Sequence, residues 1–333
     1  MEKFDSIYIM LGFACNFSCV YCLQGDIQKQ TPVDGFSDSF YAFLDKYPYK
    51  DTTRLFFWGG EPLLYWSAIR TIVERYSGQY NFGIISNGSL LTEDKVDFLN
   101  KHNVHFIFSH DAHITKGTRG RDMWQEPAFR KCFDRLNSRT INVTVTAKSM
   151  PYHEIFAYYP EGEDINLNPL INTLDNDASR CLAAFDGERI KKDVSYLLEG
   201  FEEGRENETR NVKKLLTAIL RFMEAGNSAD RCFDCVYGAK TFNIDTQGNA
   251  YVCHNSTQKV GTVEDPYEDI SARIRQVVSR VREGCTGCSL DTVCGGSCYL
   301  LSGYGREQQC ERLHAMYDVL IGYLKRKGYE ADA

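Results

Sequence analysis

The chain has 333 residues, 43% of them apolar, enough to bury the core of one large domain with a smaller one beside it. Its formal charge of −7 is spread with no Lys/Arg-rich stripe, which argues against a nucleic-acid partner and leaves an uncharged or basic ligand easier to accommodate. Thirteen cysteines occur without an export signal, because the apolar run Ile7 to Ala14 is too short for a membrane span and lacks signal-peptide flanks. A cytoplasmic, membrane-free protein is expected, and in that reducing compartment metal ligation accounts for the cysteines better than disulfides do.

Taken in chain order, short apolar runs alternate with amphipathic stretches. Ile7 to Leu11, Leu55 to Phe57, Gly83 to Ile85, Val104 to Ser109, Ile141 to Thr146 and Ile165 to Leu167 read as strands, the last ending at Pro169. The βα rhythm predicts an α/β fold, a partial (β/α)6 barrel of TIM-like type over residues 1–188. Residues 189–230 turn helical and charged, with apolar residues at three and four spacing, and form a helical bridge. Residues 231–333 are cysteine-rich with few long apolar runs, as expected of a small module organised by metal, and Glu311 to Lys327 closes the chain as an amphipathic helix.

Cys15, Cys19 and Cys22, in CNFSCVYC, directly follow the first strand, where barrel enzymes place their chemistry. Three thiolates hold a 4Fe-4S cubane with one iron left open, whereas a structural zinc site wants a fourth nearby Cys or His, which the segment lacks. With Tyr21 before the last cysteine, the motif resembles the Cys-x3-Cys-x-aromatic-Cys signature of radical S-adenosylmethionine (SAM) enzymes. The resemblance implies SAM chelated to the open iron with Tyr21 near its adenine, and reductive cleavage to methionine and a 5′-deoxyadenosyl radical.

Further motifs extend the resemblance. Gly59, Gly60, Glu61 and Pro62 match the family's GGEP motif, which implies contact with the SAM amino group; glycines there suit a close approach of backbone to ligand. Asn87 and Gly88 in ISNGSLL resemble a Thr-Asn-Gly-Thr-Leu-Leu stretch of one branch. Ser109 and Asp111 resemble a Ser-x-Asp-Gly strand end, and alternation puts them on one face with His110 on the other. Ser109 and Asp111 are therefore candidates for SAM ribose or substrate contacts. Arg121 or Arg119 suits the SAM carboxylate. Ala112 stands where the family's glycine is usual, with His113 after it.

From Cys235 the cysteines run through Gly248 to Cys253, then Cys285, Cys288, Cys294, Cys298 and Cys310. Spacing alone permits zinc as well as iron. The array resembles the SPASM extension of radical SAM enzymes, which implies two auxiliary 4Fe-4S clusters, three in all. By that resemblance Cys235, Cys253 and Cys298 hold the nearer cluster, with Cys232 as its fourth ligand or, if Cys232 does not ligate, with one iron left open to substrate. Cys285, Cys288, Cys294 and Cys310 hold the farther. Cys132 and Cys181 fall outside both arrays and read as buried, inert thiols. His254 follows Cys253 where sulfatase-maturating relatives carry an Asp, and a neutral imidazole there is a candidate proton acceptor, weighed against a merely packed histidine.

The resemblance implies a maturase that oxidises or cross-links a side chain of a ribosomally made peptide, fed by an external donor such as flavodoxin or ferredoxin. The alternatives are a dehydrogenase acting on a protein side chain or a small alcohol, and a non-catalytic redox protein. Fourteen residues precede Cys15, too few for a leader-recognition domain, so the barrel rim, the helical bridge or a separate leader-recognition protein is expected to read any leader.

Overall fold

Short apolar runs build the strands. β1 (Ser6–Met10), β2 (Arg54–Trp58), β3 (Asn81–Ser86), β4 (His105–His110), β5 (Arg139–Val145) and β6 (Ile165–Pro169) are the six expected from the sequence, with their ends slightly shifted. The structure, a computed structural model, describes residues 3–24, 35–169, 185–224, 241–282, 285, 287–290, 294, 298–301 and 303–329. Between the strands lie α1 (Asp38–Lys46), α2 (Trp66–Tyr76), α3 (Glu93–Lys101), α4 (Thr115–Arg119), α5 (Pro127–Asp134) and α6 (Tyr152–Tyr158). The strand order is β6-β5-β4-β3-β2-β1, continued by β7 (Thr241–Asp245), β8 (Asn249–Tyr251) and β9 (Lys259–Thr262). Pairings from β1 through β4, and of β1 with β7, are parallel, whereas β8 and β9 add an antiparallel meander.

The chain divides into two compact units, residues 1–110, 115–142 and 239–274 in the first and 111–114, 143–238 and 275–333 in the second. In the first, register aligns Phe242, Ile7, Leu55 and Phe82 in one row and Ile244, Ile9, Phe57 and Ile84 in the next. All eight are essentially inaccessible to solvent. Side chains of this size contribute about 1.5–3 kcal/mol each when fully buried, so these rows dominate the unit's core. β8 and β9, of three and four residues, escaped the sequence reading because runs this short carry no resolvable period, and β7, as long as β1, holds only Phe242 and Ile244 as apolar residues. Gly248, within the cysteine array's spacing, sits at φ +78° in the β7–β8 turn, where Asp245 Oδ1 accepts the Gln247 and Asn249 N–H groups. A helix α9 (Tyr267–Arg282) was also missed, its inward residues Ile270 and Ile274 lying among charges.

In the second unit, α7 (Gly187–Glu202) packs against both α8 (Glu206–Glu224) and α10 (Gly303–Arg326). α7 and α8 realise the helical pattern read over residues 189–225, and α10 begins before the expected Glu311, which carries Cys310 onto the helix. Along β6, α8 stands in for a neighbouring strand. Asn207 accepts the Ile165 N–H and donates to Glu163 O, while Asn211 accepts the Leu167 N–H and donates to Ile165 O, at 2.8–3.0 Å. Two asparagines one turn apart thus satisfy backbone that an edge would leave unpaired. One turn on, Lys214 Nζ donates to Asn166 Oδ1 and Asn168 Oδ1 at 3.0 and 2.9 Å, and burial pulls its pKa down to about 8. Among the described residues, no helix is long and apolar enough to cross a membrane.

Two outcomes follow from this edge. Asn211→Ala orphans the buried Leu167 N–H and Ile165 C=O, and should cost on the order of 1–3 kcal/mol for each group, read by urea denaturation. For Lys214, the folded state binds fewer protons than the unfolded chain between about pH 8 and pH 10.4, so stability should rise with pH across that window, by up to about 3 kcal/mol. Lys214→Met should flatten this slope in denaturation curves taken at pH 8 and pH 10.

Candidate active site

The β1–β2 ladder does not stop where the strands end. Leu11 N–H donates to Trp58 O, Gly60 N–H to Gly12 O and Glu61 N–H to Ala14 O, all at 2.9–3.0 Å, so the loop entering Cys15 is laid along the GGEP turn. A Cβ on Gly59 would stand 2.1 Å from Gly12 O, and one on Gly60 2.3 Å from Ala14 O. Self-packing therefore by itself already demands both glycines. The Tyr65 hydroxyl accepts the Ala14 N–H at 3.0 Å from the other side.

Glu61 is buried, and its carboxylate accepts from Leu63 N–H, Ser86 Oγ–H and Asn87 N–H at 2.7–2.9 Å. Burial raises its pKa while these three donors oppose the rise. The side chain thus ties the end of β2 to the end of β3. Asn87 extends the tie, donating from Nδ2 to Asn16 Oδ1 at 3.0 Å and accepting from the Ser89 N–H and hydroxyl. Asn16, inside the cysteine motif, completes the ring by donating to Ser89 Oγ at 2.8 Å.

Cys15, Cys19 and Cys22 form no disulfide and are partly accessible. Burial raises the Cys15 pKa, the Phe17 N–H pointing at its sulfur opposes that, and negative charge on Glu61 and Cys22 adds to the rise. Among the described residues no three Cys, His, Asp or Glu side chains converge as ligands of one ion. A 4Fe-4S cluster instead takes each thiolate on a separate iron, and three thiols on one loop with an amide donor to sulfur suit it.

On the flank of this loop, Val20 N–H donates to Thr118 O of α4 at 2.9 Å. The Arg119 guanidinium lies 5.5 Å from the Tyr21 ring, and that of Arg121 5.8 Å from the Phe17 ring. Arg119 is buried and Arg121 exposed, which makes Arg119 the better shielded of the two.

Ser109 is half-buried, while His110 is enclosed by Phe108 and Trp124 and bonds Asp122 Oδ1 through Nε2 at 2.9 Å. Asp111 is fully buried and belongs to the second unit. Ala112 adopts φ +52°, the left-handed conformation the usual glycine would take freely, and its N–H donates to the Tyr159 hydroxyl.

His254 stacks on Tyr8 at 4.5 Å and meets the edge of Trp58 at 4.5 Å; its carbonyl accepts from Trp58 Nε1 and Gln24 Nε2. Burial lowers its pKa to about 4, so the imidazole is neutral at pH 7. Nothing in the sequence paired His254 with Tyr8 and Trp58, which lie far from it in the chain.

Of the second array, Cys232 and Cys235 lie outside the described residues, as does Cys181, and Cys132 is buried on α5. Cys253 belongs to the first unit and Cys298 to the second. Cys285 and Cys288 close a turn through the Cys288 N–H, and Leu290 N–H lies 3.5 Å from Cys288 Sγ. Charge on both bears on Cys310, whose pKa burial raises. Cys294 N–H donates to Leu290 O at 2.8 Å.

Residues 9–116 match the radical SAM superfamily model. Such a match implies SAM and a 4Fe-4S cluster. Over 132 residues the chain is 26% identical to the radical SAM cyclopropyl synthase TigE of Paramaledivibacter caminithermalis, a match spanning 33% of this chain and 28% of that protein. Native anSMEcpe with bound AdoMet and Cp18Cys peptide superimposes with a TM-score of 0.68 at 17% identity, over 96% of this chain and 99% of the other. Streptococcus suis SuiB bound to precursor peptide SuiA gives 0.60 at 15% identity, over 89% and 72%. The α/β fold expected from the sequence, the radical SAM partial barrel with a cysteine-rich C-terminal region, is the fold these structures share.

Gly60→Ala tests the close approach. Its Cβ must displace the carbonyls entering Cys15, and the substitution should cost about 1–3 kcal/mol, an overpacking penalty. It should also lower the iron retained after reconstitution, measured against the unsubstituted protein.

Proposed function

We propose that the chain is a radical SAM peptide maturase that oxidatively modifies or cross-links a side chain of a ribosomally made peptide. The observation that carries this is the loop bearing Cys15, Cys19 and Cys22, fastened by backbone bonds to the Gly59–Gly60–Glu61 turn within the radical SAM domain. A peptide substrate is supported by the fold shared with anSMEcpe and SuiB, both seen with peptides. Bound there, a 4Fe-4S cluster and SAM would supply a 5′-deoxyadenosyl radical able to take a hydrogen atom from the substrate.

The chain's own residues then have distinct duties. The three thiols hold the cluster and leave one iron for SAM. Glu61 and Asn87, their side chains engaged by protein donors and acceptors, hold the SAM-facing backbone of Gly59, Gly60 and Pro62 in place. Tyr21 lies against the adenine, with Ser109 and Arg121 as polar contacts to SAM. Asp111 and His254 handle protons; neutral at pH 7, His254 has the protonation state a base requires. In the C-terminal region Cys232, Cys235, Cys253 and Cys298 would hold a nearer auxiliary cluster, and Cys285, Cys288, Cys294 and Cys310 a farther one, groups that would supply an acceptor for an electron. A flavodoxin or ferredoxin supplies the reducing electron, and a separate protein presents any leader.

A second reading, dehydrogenation of a protein side chain, draws on the fold likeness to anSMEcpe. Anaerobic incubation of reduced, reconstituted protein with SAM and a candidate precursor peptide decides between them. Expected are 5′-deoxyadenosine and a product about two mass units lighter with a new ring in tandem fragmentation, both abolished by Cys15→Ala, since loss of one thiolate opens the cluster. A carbonyl in place of the ring would establish dehydrogenation, and no 5′-deoxyadenosine with any substrate would overturn both.

A further inference from the structure

α10 presents Arg306, Cys310 and His314 at successive four-residue intervals, and therefore on one face. Against that face lies the Cys285–Cys288 turn. Arg306 Nη2 is 3.5 Å from Cys285 Sγ, within donating distance for sulfur, and His314 Nε2 is 3.6 Å from Cys288 Sγ. The positive charge of Arg306 also acts on Cys310, opposing the effect of its burial. Cys285 and Cys288 therefore each have a basic side chain of α10 at their sulfur, and Cys310 feels the charge of Arg306, although neither base belongs to the cysteine spacing.

We infer that Arg306 and His314 are positioning residues that set the reduction potential of an iron-sulfur cluster held by Cys285, Cys288, Cys294 and Cys310, by donating hydrogen bonds to its thiolate ligands; this rests on the auxiliary clusters proposed above. Reduction adds one electron and one negative charge to such a cluster. N–H donors on its sulfurs and a nearby guanidinium stabilise the more negative state, and so raise the potential.

The test uses full-length protein with Cys15, Cys19 and Cys22 changed to Ala, which removes the SAM-binding cluster and leaves about eight irons if both auxiliary clusters form. Potentiometric titration followed by electron paramagnetic resonance then gives the midpoint of each signal, and the signal lost with Cys310→Ala identifies the farther cluster. Arg306→Gln and His314→Phe should each lower that midpoint. In the double variant, poised at the original midpoint, the reduced-to-oxidised ratio should fall about tenfold, equivalent to about 59 mV for one electron. Arg306→Lys should recover most of the Arg306→Gln shift, because the positive charge is kept. Full iron content with ratios changed less than about twofold would overturn the inference while leaving the auxiliary clusters standing. Iron lost from the single variants would overturn it too, since the residues would then hold the cluster and not tune it. Iron near zero in the starting protein would remove the clusters and the inference together.

Discussion

The candidate site depends on how closely two backbones approach. Beyond the paired ends of β1 and β2, the segments Gly12–Ala14 and Gly59–Glu61 continue to exchange N–H···O bonds, and there is no room between them for a Cβ at either glycine. The loop that carries three thiols is therefore a continuation of the sheet and not a free excursion from it. The geometric precision of the sheet is transmitted to Cys15 through backbone, which has few soft degrees of freedom.

Around that contact, polar side chains are spent on holding loops to one another. The Glu61 carboxylate has three protein donors, and Asn16, Asn87 and Ser89 form a closed ring. A carboxylate so deeply buried is tolerable only because its donors replace water. The carboxylate of Glu61 and the amide of Asn87 are thus occupied by protein partners. β6 shows the same economy, where Asn207 and Asn211 occupy backbone groups that would otherwise be an open edge.

Legibility differed with the range of the interactions. β1 to β6 were readable because each carries a local apolar run bounded by turn residues, and α7 and α8 because their apolar stripes repeat over several turns. β7 to β9 were not, since β7 earns its place by pairing with β1, a partner more than two hundred residues away, and β8 and β9 follow only by pairing with β7 and β8 in turn. The cysteines of the candidate site announced themselves by spacing. Tyr65, Asn16 and Ser86 did not, because a tyrosine, an asparagine and a serine have many ordinary uses and only their neighbours give them this one. His254 was left between two readings, and its packing between Tyr8 and Trp58 could not have been inferred from the residue after a cysteine.

By itself the sequence determined the βα order of the first half, the three-thiol loop at the end of the first strand, and the number and spacing of the remaining cysteines. Those features are local, and their meaning survives without coordinates. Only the tertiary structure decided that Gly59 and Gly60 are required by the cysteine loop itself, that Glu61 is wholly engaged by protein donors, and that Arg306 and His314 flank thiols of the C-terminal array. Each of those depends on which distant backbone lies within about 3 Å, the range over which hydrogen bonds and steric exclusion act, and residue spacing does not encode it.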